Sequence, residues 1–207
     1  MSDSGTPAEA GYPGLKMRVP LCSCAGFRVF FLLLVLAWSG LGRANPSDAD
    51  TLWQLPYPLV SESGQVLHLS QWSGRPAIVT MEYSQSSVVC SVTLAYLKEL
   101  QDLLDARGQS ADFVIISLDP KNDTPQAWTR YREKFGLART NWHFLTASEA
   151  DTPAIAKALN VKYRRYDDLI IHRLRVMRLD REGQVVNVLR SHFEDLNAFL
   201  DQAITLR

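Results

Sequence analysis

Cysteine is scarce in this chain. Of 207 residues only three are cysteines, and two of them, Cys22 and Cys24, fall in a segment that reads as a leader. The remainder keeps Cys90 alone. A lone thiol cannot close an internal disulfide, so a small disulfide-stapled scaffold is excluded and three roles remain: a buried inert residue, a metal ligand, or a thiol offered to a partner. An excess of one charge is also missing. Basic and acidic residues number 22 each, which leaves no electrostatic footprint for nucleic acid. Long apolar runs are absent too: Val29 to Trp38 gives ten residues, short of the roughly 20 that span a bilayer. There is no internal repeat and no low-complexity tract.

What the first 44 residues do contain is a basic start at Lys16 and Arg18, that ten-residue apolar run, and small residues at Gly42 and Ala44. This is the order of parts in a secretory signal peptide, with cleavage expected after Ala44 and an uncleaved anchor as the alternative. Met17 is a second candidate start. Without residues 1–44 the chain keeps 18 basic and 20 acidic residues, so its surface is close to neutral.

The expected organisation is a leader over 1–44, a proline-interrupted lead-in over 45–57, and one domain over 58–207. Pro58 to Leu69 has two short apolar runs around Ser63-Gly64 and reads as a β-hairpin on the edge of the core. Ala77 to Tyr83 is a strand. From Cys90 to Ala106 apolar residues recur at spacings of three and four and Gly108 follows, which predicts an amphipathic helix with a glycine stop. Phe113 to Leu118 is a strand apolar on both faces. Thr124 as N-cap, Pro125 at the first turn and Gly136 past the end delimit a second helix.

A short helix is expected over Thr152 to Leu159, strands over Leu174 to Leu179 and Val185 to Leu189, and a closing helix over Phe193 to Ile204. From Ala77 onward the order is β-α-β-α-(α)-β-β-α. The fold class is α/β, thioredoxin-like, with a central mixed sheet, flanking helices and the N-terminal hairpin. In that architecture the loop after the first central strand carries the thiol chemistry, because the helix that follows stabilises a thiolate at its N-terminus. Cys90 stands there.

The segment from about Pro58 to Leu189 resembles the Sco/SenC family, exported thioredoxin-fold proteins associated with copper delivery to cytochrome oxidase. The most specific residues are Ser117-Leu118-Asp119-Pro120, Asp123-Thr124-Pro125, Tyr131, Lys134-Phe135-Gly136, Asn141-Trp142 and Phe144-Leu145-Thr146. The family carries a Cys-x-x-x-Cys-Pro motif shortly after a Tyr-Thr, with a distant His as third copper ligand. Here Tyr83-Ser84 keeps the frame, so the resemblance puts the first cysteine on Ser86, the second on Cys90, the proline on Ser91 and the histidine on His172.

The serine changes the chemistry. Cu(I) prefers thiolate and takes imidazole, whereas a neutral hydroxyl is a poor ligand for it. The resemblance therefore implies a weak thiolate–imidazole Cu(I) site at Cys90 and His172, or one completed by a partner. Without a resolving thiol at Ser86, a dithiol reductase is not expected, and a mixed disulfide with a thiol-bearing partner would persist until a third thiol resolved it. The implied client is cytochrome c oxidase or another cuproenzyme. The implied location is exported and periplasmic, touching a membrane only through the leader.

Two other functions compete. One is a degenerate family member acting as a binding module without metal or redox activity. The other is a peroxiredoxin-type single-cysteine enzyme, since Ser87 stands three residues before Cys90, although Tyr83 replaces the proline that motif requires. Met81 and Met177 read as core fillers, and His68, His143 and His192 as surface or hydrogen-bonded residues. Asp119 and Asp123 read as loop-bracing carboxylates. Lys162 to Arg165 with Arg173 and Arg175 reads as a solvated face, the alternative being a docking surface for an acidic partner.

Overall fold

The computed structural model describes residues 51–85, 89–167 and 169–201, with the side chains of 89–91 outside the description. The expected leader over 1–44, Ser86 and the last residues of the closing helix therefore lie outside the described residues. Among those described, no helix is long and apolar enough to cross a membrane.

Nine strands and four α-helices are described: β1 (Leu59–Ser61), β2 (Val66–Leu67), β3 (Ala77–Glu82), α1 (Val89–Ala106), β4 (Asp112–Ser117), α2 (Pro125–Phe135), β5 (Trp142–Thr146), α3 (Thr152–Ala158), β6 (Tyr163–Tyr166), β7 (Leu169–His172), β8 (Val176–Leu179), β9 (Val185–Leu189) and α4 (Leu196–Asp201). Seven strands form one sheet in the order β2-β1-β5-β4-β3-β8-β9, while β6 and β7 form a separate two-stranded ribbon. Strands β3, β4 and β5 run parallel, with β1 antiparallel to β5 and β8 antiparallel to β3. The sheet is mixed, the N-terminal hairpin caps one edge, and the expected fold class holds.

Helices cover the central strands on both sides. All six residues of β3 and of β4 are buried, as parallel strands between two helical layers require. One core layer joins Val79, Met81, Val114, Ile116 and Met177 with Trp72, Ile155 and Ile170. The other sets Ile78, Phe113, Ile115 and Phe144 against Leu94, Leu97 and Leu100 of α1, Trp128 of α2 and Phe199 of α4. Each such side chain fully withdrawn from water contributes roughly 1.5–3 kcal/mol before entropy is counted. Met81 and Met177 are core residues, as expected.

The caps of α2 fall where the sequence puts them. Thr124 Oγ1 accepts from Ala127 N–H at 3.2 Å, and Gly136 ends the helix in the left-handed conformation at φ 66°. Three strands were not expected: β5, β6 and β7. His172 is accordingly the last residue of β7 rather than a residue in the turn before the next strand, and that strand starts at Val176, not Leu174. The reason is local. In the β6–β7 ribbon the outward positions Arg164, Tyr166, Leu169 and Ile171 are exposed while Ile170 is buried, so the charged stretch hides a period-two pattern.

Candidate metal centre

The site is built at the C-terminal ends of β3 and β4. Strand β3 finishes at Glu82, the chain continues through Tyr83, Ser84 and Gln85, and α1 begins at Val89 with Cys90 as its second residue. The thiol-bearing residue is thus at a helix N-terminus after the first central strand, as expected. Its side chain and Ser86 lie outside the described residues.

His172 comes to the same end of the sheet from a different direction. Strand β7 carries its ring to Glu82, with Nε2 3.4 Å from Glu82 Oε2 and side-chain exposures of 5% and 7%. The ring also stands edge-on to Tyr83, centroids 6.1 Å apart, and Ile170 N–H reaches the Tyr83 hydroxyl at 3.4 Å. Burial opposes charging the imidazole, but the hydrogen bond and charge of Glu82, with a hydrogen bond to the Arg173 backbone, outweigh it and hold the ring above its ordinary value. A carboxylate buried in this way is costly unless it is paired.

The thiol loop is pinned from below. Ser84 N–H and Oγ–H donate to Asp123 Oδ1 at 2.9 and 2.6 Å, and Ser117 Oγ–H donates to Asp123 Oδ2 at 2.6 Å. Asp123 is fully buried. Burial raises its carboxyl above the ordinary value, against the lowering effect of the Ser117 and Ser84 hydrogen bonds. The loop-bracing role expected of Asp119 and Asp123 is what the structure contains. Asp119 accepts from Asn122 Nδ2 at 2.8 Å and from Arg165 Nη2 at 2.7 Å, tying the β4–α2 turn to the ribbon.

Arg175, half-buried, departs from the expected solvated face, while Arg165 is exposed but engaged. Arg165 binds Asp119, and Arg175 Nε–H donates to the Leu159 carbonyl at 2.7 Å. Arg164 and Arg173 stay exposed, and with Lys162 and Tyr166 they line a surface depression of about 340 Å³ beside His172. Of the other histidines, His143 bonds Asp112 through Nε2 at 2.8 Å, His192 packs on Tyr96, and His68 is exposed.

Sequence reasoning named Cys90 and His172 but missed Glu82. The signal was present: a carboxylate inside the strand AIVTME, where every other residue but Thr80 is apolar. Among the described residues no group of three or more His, Cys, Asp or Glu side chains is placed to hold a metal; Cys90, the donor expected from the sequence, has its side chain outside them. A thiolate and an imidazole are both suitable donors for copper, and a serine hydroxyl is not.

The fold has counterparts among solved structures. Copper-bound ScoI of Arabidopsis thaliana is 22% identical, with a TM-score of 0.63 over 71% of this chain and 92% of that one. Copper-bound yeast Sco1 is 19% identical, with a TM-score of 0.63 over 74% and 89%. An SCO2-like protein of Rickettsia conorii is 21% identical over 73% of this chain and 74% of its own length. Residues 45–202 match SCO1/SenC as a family, and the chain belongs to that family.

Proposed function

We propose that this chain is an exported copper-handling protein that holds Cu(I) weakly through Cys90 and His172 and passes it to cytochrome c oxidase or another cuproenzyme. The observation that carries the reading is the placement of a buried imidazole at the C-terminal end of β3, the end from which the thiol-bearing helix starts. Family membership and the copper-bound neighbours support it. With serine at position 86 the donor set is one soft sulfur and one imidazole, so the ion is held loosely enough for a client's ligands to complete and then take over its coordination. The leader over 1–44 supplies export.

The test is anaerobic Cu(I) titration of the full chain carrying Cys22→Ser and Cys24→Ser, so that Cys90 is its only thiol. One equivalent of Cu(I) bound by this protein and lost in Cys90→Ser and His172→Ala is the expected result. Uptake unchanged by either substitution removes the reading and leaves a binding module.

A further inference from the structure

We propose that Tyr83 is a positioning residue for His172: its hydroxyl seats strand β7, and the edge contact of its ring sets the direction of the imidazole. The inference rests on the reading of His172 as a copper donor given above, and it concerns how that donor is held.

The ribbon leaves one buried backbone group outside its own ladder. Arg173 N–H donates to the Lys162 carbonyl at 3.3 Å, and antiparallel pairs alternate between hydrogen-bonded and non-hydrogen-bonded. With Arg164 opposite Ile171 and Arg165 opposite Ile170, the bonded pairs are Lys162–Arg173 and Arg164–Ile171, and the Ile170 N–H turns out of the ribbon. Ile170 is 3% exposed, so that N–H needs an acceptor from the main sheet's side. It meets the Tyr83 hydroxyl at 3.4 Å. Tyr83→Phe would keep the ring and leave the N–H unsatisfied.

Ile170 and His172 stand two residues apart on one strand and so share a face of the ribbon. Tyr83 meets both, because its ring also stands edge-on to the imidazole, at 75° with centroids 6.1 Å apart. The residue before it, Glu82, pairs directly with His172 Nε2 at 3.4 Å. The residue after it, Ser84, is fixed by Asp123 through its N–H and its hydroxyl. Three consecutive residues thus hold the imidazole, the strand that carries it and the start of α2. The Tyr83 bond to Ile170 is long for an N–H···O contact, so losing the hydroxyl should act on the placement of His172 more than on folding. Groups that orient a metal-binding histidine change its affinity when removed.

The test compares Tyr83→Phe with Arg165→Met in full-length protein carrying Cys22→Ser and Cys24→Ser. Both variants loosen the ribbon, but only the first touches the seat of His172. In metal-free protein Tyr83→Phe should move the ring ¹H and ¹⁵N resonances of His172, while Arg165→Met should leave them in place. Anaerobic Cu(I) affinity should fall about three- to tenfold in Tyr83→Phe, less than for a direct hydrogen-bond partner because the effect passes through the strand, and less than about twofold in Arg165→Met. Equal losses in the two variants would mean that any loosening of the ribbon weakens uptake, and would overturn the proposal. So would unchanged affinity in Tyr83→Phe while His172→Ala still abolishes uptake, an outcome that leaves the copper-handling reading intact. Uptake indifferent to His172→Ala removes both. Should Tyr83→Phe not fold, the Tyr83 protein decides: a nuclear Overhauser contact between the Tyr83 and His172 rings should persist after one equivalent of diamagnetic Cu(I) is added, and its loss overturns the proposal.

Discussion

Arg165 Nη2 sits 2.7 Å from Asp119 Oδ1 and joins the ribbon that ends in His172 to the turn after β4. The carboxylate is buried and the guanidinium is partly exposed, so solvent screens one side of the pair. Replacing Arg165 with Met should cost about 1 kcal/mol, since Asn122 still donates to Asp119. The larger effect should be on amide exchange in β6 and β7, which should speed up while β3 and β4 stay protected. Unchanged protection in the ribbon would show that the pair does not seat it.

In metal-free protein the His172 ring is held above its ordinary value near 6.5 by Glu82, against burial. A basic group with a raised folded value stabilises fully below its unfolded value and loses that contribution as pH rises through the folded one. Urea unfolding of wild type and His172→Gln should therefore differ most below about pH 6.5 and converge toward alkaline pH. A gap independent of pH contradicts the ion pair. On the proposed reading an ion held by His172 would displace that proton, so acidification should also weaken Cu(I) uptake.

Asp123 has the opposite chemistry and the same sign. Its carboxyl is raised by burial, so its favourable contribution is complete below the unfolded value near 3.8 and falls as pH rises through the folded one. The stability advantage of wild type over Asp123→Asn should shrink between acid and neutral pH. Asp123→Ala should cost about 3 kcal/mol at neutral pH, because it strands Ser84 N–H and two hydroxyl groups in the interior. Denaturant titrations at two pH values check both, and a loss below about 0.5 kcal/mol for the alanine variant would contradict the pin.

Gly74 and Gly183 both have positive φ, 83° and 82°, but only one is crowded. A Cβ at Gly74 meets open space, while one at Gly183 runs into Thr51 and the Trp53 ring. Gly74→Ala should cost about 1 kcal/mol from backbone strain alone. Gly183→Ala should cost about 2 kcal/mol more as the clash is relieved. Equal melting temperatures for the two variants would contradict that packing.

Local rules carried the reading of the sequence furthest where one residue type has one physical use. Thr124, Pro125 and Gly136 delimit α2 because a hydroxyl cap, a ring without an N–H and a left-handed stop fit few other places. Met81 and Met177 fell in the core for equally general reasons. The ribbon was not legible, because Tyr163-Arg164-Arg165-Tyr166 is charged on the strand face that turns outward and one of its arginines is committed to a carboxylate 46 residues away. Glu82 was missed for a related reason: its partner, His172, arrives from the far side of the chain, and only the tertiary fold brings them together.

The two halves of the proposed grip inherit different mechanics. Cys90 is carried by α1, which packs on strands held by a continuous backbone ladder, whereas His172 rides on a ribbon that has no place in that ladder. Among the described residues the ribbon is tied down by Ile170 in the core and its N–H on the Tyr83 hydroxyl, by Arg165 on Asp119, and by the imidazole on Glu82. An opposing protein surface that competes for those few anchors could lift the nitrogen donor away while the main sheet stays intact, and release of cargo would then require no unfolding of the domain that holds the sulfur.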